Sequence, residues 1–255
     1  MNWIEIAGPS GIGKSTLLNK LREHHRDNNC HWVTIDEAII EIIKSKKFES
    51  YSLVKQKLLQ LLLNSPLVPG KQLNYAQRLL ENSIEVNKTL KNYEFLMASF
   101  LVKIMEEEND ALFKVEMIRW YYGLLKKAAI IDAYNYKKTL VLDEGLFNNN
   151  KNGFGSFTQI DHRRLPKAVV FCTLNTDENL KRLRNRKKVM HYHKALSDKE
   201  LSLYIDKAIE RNELKLKKLK ALNIPILEVS LADLPPAKVA EVASFINRHH
   251  TITVH

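Results

Sequence analysis

The 255-residue sequence predicts an α/β fold: a five-stranded parallel sheet with helices on both faces and a large helical insertion between the second and third strands. Short apolar runs at 2–7, 31–36, 139–145, 167–175 and 224–231 alternate with stretches of helical period. The runs "TLVLDEG" and "KAVVFCTLN" are continuous rather than alternating, as expected of strands buried on both faces. The connections between runs are long enough for the right-handed crossovers that parallel neighbours need.

In order along the chain, "NWIEIA" reads as a buried first strand, and "KSTLLNKLREHH" follows a glycine-rich turn with leucines at helical spacing. "HWVTID" at 31–36 is the second strand, ending in Asp36 and Glu37. From about 37 to 138 the pattern is helical, in "EAIIEIIKSK", "SLVKQKLLQLLLNS", "YAQRLLENSIEVNKTL", "YEFLMASFLVKIMEEE" and "ALFKVEMIRWYYGLLKKAAIIDAY", with a break at Pro66, Pro69 and Gly70. This section predicts several helices on the substrate side of the sheet. The third strand ends at Asp143 and Glu144, and 148–166 is a long polar loop. After the fourth strand come helices at 176–188 and 198–222, the latter with Leu201, Ile205, Ala208, Ile209, Asn212, Leu216 and Leu219 near one face. "IPILEVSL" and "PPAKVAEVASFINRH" close the chain as strand and proline-started helix. One compact body over 1–255 is expected, with the insertion at about 37–138 and a lid-like segment at about 176–195.

Composition excludes several classes. Apolar residues make up 45% of the chain and charged residues 27%, against a largely disordered protein. Cys30 and Cys172 stand far apart without a CxxC or Cys/His cluster, so a disulfide framework and a zinc site are not indicated and a reducing, cytoplasmic setting fits. The longest apolar runs are too short to cross a bilayer, and no export signal opens the chain. The net charge of +11 favours anionic partners. Much of it is local, in "KRLRNRKK" at 181–188 and "RNELKLKKLKAL" at 211–222, and the second run reads as a solvated helix face.

The chemistry is carried first by "GPSGIGKS". Gly8, Pro9, Ser10, Gly11, Ile12, Gly13, Lys14 and Ser15 fit G-x-x-x-x-G-K-[ST] between a strand and a helix, the context this phosphate-binding pattern requires. Glycines let backbone N–H groups close on an anion, and the helix start adds partial positive charge. Lys14 is expected to reach the β and γ phosphates and Ser15 to ligate Mg2+, with Thr16 supporting the loop's end. Asp143, ending a neighbouring buried strand, is the second expected metal contact, largely through water.

With these residues the chain resembles the P-loop kinases of the nucleoside and nucleotide group, the thymidylate and deoxynucleoside kinases above all. The resemblance covers 2–16, the strand ends at Asp36 and Asp143, the region 167–188 and, more loosely, 224–249. It implies a P-loop NTPase fold, ATP as phosphoryl donor, Mg2+, and a small hydroxyl- or phosphate-bearing acceptor, a nucleoside or nucleotide before a sugar or other metabolite. It implies a lid like R-[IL]-x-x-R, matched by Arg182 and Arg186, whose guanidinium groups would stabilise the migrating phosphoryl group. It implies a base at the second strand's end, a role open to Asp36 or Glu37. The family's E-P-type and D-R-type motifs are "DEA" and "DEG" here, so Glu144 stands where the family has a substrate-binding arginine.

Beside Asp143, Glu144 also resembles the water-orienting acid of ATPases. That leaves a nucleic-acid-stimulated ATPase or a nucleotide switch as the alternative class. In "EMIRWYYG", Arg119 and Tyr122 are candidates for a substrate wall, against the commoner reading of aromatics at helical spacing as core. His191 and His193 lack further ligands and take no role. A homodimer is compatible with the sequence, and a membrane partner is not expected.

Overall fold

The computed structural model describes residues 1–27, 32–45, 57, 77–81, 83–106, 111–143, 145–146, 165–186, 193 and 196–250. Strands β1 (Trp3–Ala7), β2 (Trp32–Val33), β3 (Thr139–Leu142), β4 (Ala168–Thr173) and β5 (Ile226–Ser230) form one sheet in the order β2-β3-β1-β4-β5. Every pairing is parallel. This is the expected five-stranded parallel α/β arrangement, with β1 central and the glycine loop at its carboxyl end. Among the described residues no helix is long and apolar enough to cross a membrane.

Helix α1 (Lys14–Asp27) and the last helix, α8 (Pro236–His249), cover one face of the sheet. Ile4 and Ile6 of β1 point there, against Leu17, Leu18 and Leu21 of α1 and Val239, Val242 and Ile246 of α8. Each such aliphatic side chain, taken fully out of water, contributes roughly 1.5–3 kcal/mol. The alternation of a strand sends Trp3, Glu5 and Ala7 to the opposite face.

That opposite face is divided. Over β2 and β3 lie α2 (Ile35–Ser45), α3 (Ile84–Lys91), α4 (Glu94–Glu106) and α5 (Ala111–Ala133), in an apolar cluster that takes in Trp3, Leu140 and Leu142. Over β4 lies α7 (Asp198–Ala221), whose Leu216 and Leu219 join Ala7, Val169 and Phe171 in a separate cluster. Glu5 falls between the two, at a seam above β1, and it is fully buried. A short helix, α6 (Thr176–Arg184), packs on the start of α7 through Leu183, Leu201 and Ile205.

Two boundaries differ from the sequence reading. The second strand is only Trp32–Val33, and Asp36 and Glu37 lie in the first turn of α2 instead of at a strand end. The cause is a capping box: Thr34 Oγ1 accepts from the Glu37 backbone N–H at 3.3 Å, while Glu37 Oε2 accepts from the Thr34 backbone N–H at 2.8 Å. The helix after the fourth strand ends at Arg184 rather than 188. Apart from Lys57, which is helical, the predicted helix "SLVKQKLLQLLLNS" lies outside the described residues, as do the break at Pro66, Pro69 and Gly70, the loop at 148–164 and Cys30.

The capping box makes a stability prediction. Burial pushes the Glu37 carboxyl up, but hydrogen bonds from the Thr34 backbone and hydroxyl, with the Arg22 guanidinium, hold it below its ordinary value of 4.5. A carboxyl lowered in the folded state gives stability that is present above pH 4.5 and is lost as pH falls through the lower, folded value. Thr34→Ala should cost about 1 kcal/mol at neutral pH. It should also flatten the acid limb of stability measured by urea denaturation between pH 3 and 6, and an unchanged limb would exclude the cap.

Candidate functional site

The glycine loop runs from the end of β1 into α1. Gly8, Gly11 and Gly13 have φ of 138°, 88° and 107°, conformations that side chains disfavour. Space is closed as well, because a Cβ on Gly8 would overlap the Cys172 carbonyl oxygen and one on Gly11 would overlap Leu183. Pro9 and Ile12 are buried and wedge the loop onto the sheet, while Ser10, Ser15 and Thr16 face outward. The first turn of α1 contains no acid, so nothing offsets the positive end of its dipole. Burial pushes the Cys172 thiol beneath the loop up to about 12, against the pull of Lys14. It is a packing group at neutral pH.

Lys14 Nζ donates to the carbonyls of Gly8 at 2.9 Å and Pro9 at 2.8 Å, folding the side chain back along the loop. Asp143 follows β3 by one residue and is partly buried. β3 is hydrogen-bonded to β1 with Leu142 opposite Glu5, so Asp143 lies at the same carboxyl edge as the loop. Exposed Ser15 and partly buried Asp143 are hard oxygen donors of the kind Mg2+ takes together with phosphate and water. Among the described residues no cluster of His, Cys, Asp and Glu forms a metal cage by itself. Glu144 lies outside the described residues.

The two predicted lid arginines part company. Arg182 Nη1 donates to the Ile12 carbonyl at 2.6 Å, and Nη2 donates to those of Leu231 at 2.6 Å and Ala232 at 3.2 Å. It is a brace that ties the glycine loop to the segment after β5. Arg186, beyond the end of α6, is exposed. Arg184, in the same basic run, donates to Asp198 and to the carbonyls of His193 and Leu196, fixing the entry to α7. His193 is buried in that knot, and Lys187, Lys188 and His191 lie outside the described residues.

Of the second-strand acids, Glu37 is occupied by its cap and by Arg22 Nη2 at 2.5 Å. Asp36 pairs with Lys127 of α5 at 2.7 Å and is about half exposed, 46% at the side chain. On α5, Arg119 and Tyr122 are exposed and share an outer face. Tyr122 lines a groove of about 300 Å³ with Asn87, Tyr93 and Met97, within the helical layer. The aromatic that faces the sheet is Tyr121, fully buried, stacked on Phe100 at 4.1 Å and donating to the Leu146 carbonyl at 3.2 Å.

Sequence reasoning missed three groups. Glu5 has its Oε2 3.4 Å from the Trp3 indole N–H, and its carboxylate lies where a Cβ on Gly145 would be. The last glycine of "DEG" is thus required by close approach. An acid inside "WIEIA" was the available signal. Asn179 of α6 is fully buried with its carboxamide against Gly11 and, among the described residues, both amide atoms are without a hydrogen-bond partner. Lys215, in the run read as solvated, is partly buried and coupled to Glu5.

Two pairs of substitutions test this geometry. Arg182→Ala should lower stability by about 2 kcal/mol, since charged donors to carbonyls are lost, whereas Arg186→Ala should leave it unchanged; equal denaturation midpoints would remove the brace. Gly145→Ala should cost about 1–3 kcal/mol by overpacking, and Glu5→Asp in the same chain should recover part of that loss. Additive effects in urea denaturation would show that the two residues do not touch.

No protein-family model and no curated protein matches the chain. Among solved structures it is similar to shikimate kinase from Bacteroides thetaiotaomicron, at 12% identity and a TM-score of 0.40, over 97% of each chain.

Proposed function

We propose that this protein is an ATP-dependent kinase acting on a small hydroxyl- or phosphate-bearing acceptor, with a nucleoside or nucleotide first and a sugar or other metabolite second. The observation that carries the reading is the glycine loop: three positive-φ glycines and Lys14 on a strand-to-helix turn, with Asp143 at the adjoining strand end. That combination suits a nucleotide's phosphates and a divalent cation.

In this reading the backbone N–H groups of 8–16 hold the β and γ phosphates, and Lys14 exchanges its two loop carbonyls for phosphate oxygens. Ser15 and Asp143 hold Mg2+, which when bound neutralises charge on the transferring group. Asp36 takes the acceptor's proton, oriented by Lys127, because Glu37 is occupied in the helix cap. Arg186, exposed at the end of α6, closes on the migrating phosphoryl group, while Arg182 holds the loop's shape from behind. Positioning and charge stabilisation supply the rate, as phosphoryl transfer asks little covalent chemistry of the protein. Arg119 and Tyr122, on the outer face of the helical layer, are assigned no part in the transfer.

Lys14→Ala should lower turnover on the order of 10²–10³-fold with an unchanged melting profile, and Asp36→Asn should lower kcat more than it alters ATP binding. Screening acceptors with labelled ATP is the direct test. ATP loss that needs no acceptor and rises with DNA or RNA would replace the kinase with the ATPase alternative. Tight ATP binding with negligible turnover on every acceptor would replace it with a switch.

A further inference from the structure

One face of α6 is turned to the glycine loop. Its residues at i, i+3 and i+4, Asn179, Arg182 and Leu183, meet neighbouring loop positions. A Cβ built on Gly11 would lie 2.4 Å from Leu183 Cδ2 and 3.0 Å from Asn179 Oδ1, and one on Gly13 would lie 3.1 Å from Arg182 Nη1. Two of the three side chains are chemically matched where they sit. Leu183 packs with Leu201 and Ile205, and Arg182 donates to the Ile12 carbonyl. Asn179 is not matched: it is fully buried, and among the described residues neither the oxygen nor the nitrogen of its carboxamide has a hydrogen-bond partner.

A buried carboxamide in this position is costly, because both polar atoms have given up water, and a leucine of similar size would fill the space without that cost. The helix that carries it is pinned. The Asn175 side chain caps its start, Thr176 Oγ1 donates to Asp206, and Arg184 donates to Asp198 and the Leu196 carbonyl. The loop is held at Pro9 and Ile12, both buried, which leaves the Ser10 and Gly11 peptides between them as the part able to turn. Among the described residues the backbones of Ser10, Gly11, Ile12 and Gly13 donate no hydrogen bond. Gly11 has a φ of 88° and no side chain to obstruct a rotation of its peptides. The Lys14 ammonium sits on the Gly8 and Pro9 carbonyls. A phosphate that draws the ammonium to itself releases those carbonyls and orients the loop N–H groups, so the loop backbone changes its partners just where Asn179 lies.

Resting on the kinase reading of this loop, we infer that Asn179 is a positioning residue for the nucleotide's phosphates: when Lys14 moves onto phosphate, the peptides at Gly11 settle on the Asn179 carboxamide, which accepts from a loop N–H and donates to a loop carbonyl. The side chain acts through the loop and does not touch the phosphate. Its hydrogen bonds belong to the phosphate-holding form of the loop and are missing from the form in which Lys14 rests on Gly8 and Pro9. A ligand shifts such a balance by its preference for one form, so each bond gained there is read as affinity for phosphate. The unpaired carboxamide thus lowers the stability of the chain alone and raises its affinity for the ligand.

The test compares the full chain with Asn179→Leu and, as a control, Asn212→Leu, since Asn212 is a buried residue of α7 whose carboxamide oxygen also lacks a partner among the described residues. Without ligand, Asn179→Leu should melt about 2–4 °C higher than the wild-type chain. The β,γ-imido analogue of ATP with Mg2+ and, separately, inorganic tripolyphosphate are titrated by calorimetry. Both should bind Asn179→Leu about tenfold or more weakly and Asn212→Leu within about twofold of wild type. A residue that only packs would show the reverse, lower stability with affinity unchanged. In the wild-type chain the Asn179 side-chain amide protons should move downfield in nitrogen-edited NMR spectra when tripolyphosphate is added, a readout that needs no variant to fold. Affinities that Asn179→Leu leaves unchanged, an equal loss in Asn212→Leu, amide protons that stay in place, or binding of neither ligand would overturn the inference. Tripolyphosphate binding that depends on Asn179, with no binding of the analogue, would overturn the kinase reading and leave the role of Asn179 standing.

Discussion

A carboxylate cut off from water must be met by positive charge or hydrogen-bond donors, and in this chain that carboxylate is Glu5. It stands on the central strand, between two residues that belong to separate apolar clusters among the described residues, Trp3 and Ala7. Its enclosure fixes what surrounds it. The residue closing the turn after β3 must be glycine, and the Trp3 indole N–H points inward to the carboxylate. The strand that carries Glu5 leads directly into the phosphate-binding turn, and the turn that covers Glu5 follows directly on Asp143. One buried acid thus lies between the two strand ends of the proposed nucleotide site.

The loop is held from three directions. Cys172 and its strand lie below Gly8, Leu183 and Asn179 of α6 press on Gly11, and the Arg182 guanidinium grips Ile12 from outside. Backbone amides aimed at an anion cost no reorganisation if they are already in place, which is where preorganised electrostatics gain their effect. Lys14 differs, because its ammonium rests on carbonyls of the same loop. A phosphate bound at the loop would compete with those two neutral acceptors for it.

Much of this was legible in the chain's own letters, and the exceptions have physical causes. The strand, loop and helix at 2–27 are local patterns with strong periodicity, and they read correctly. β2 was read too long because "TID" prolongs its apolar pattern, although Thr34-x-x-Glu37 spells a helix start. Counting Lys215 among solvated lysines fails for a related reason: composition sees a charge run, whereas one residue's step around α7 takes a side chain from exposed, as at Leu214, to partly buried. Arg182 and Arg186 share a motif, but only tertiary placement shows that one reaches backbone carbonyls while the other faces outward. Tyr121 and Tyr122 differ in the same way, by a rotation that sequence spacing does not resolve.

The separation of one sheet face into two apolar clusters bears on how such a chain can diversify. Among the described residues, those of α2 to α5 share no cluster with Leu216, Leu219 and their neighbours, so substitutions in one group are expected to add to those in the other. Drift in α2 to α5 can therefore remodel that side of the sheet without disturbing the packing beneath α7, and lineages are free to trade one wall while inheriting the other intact.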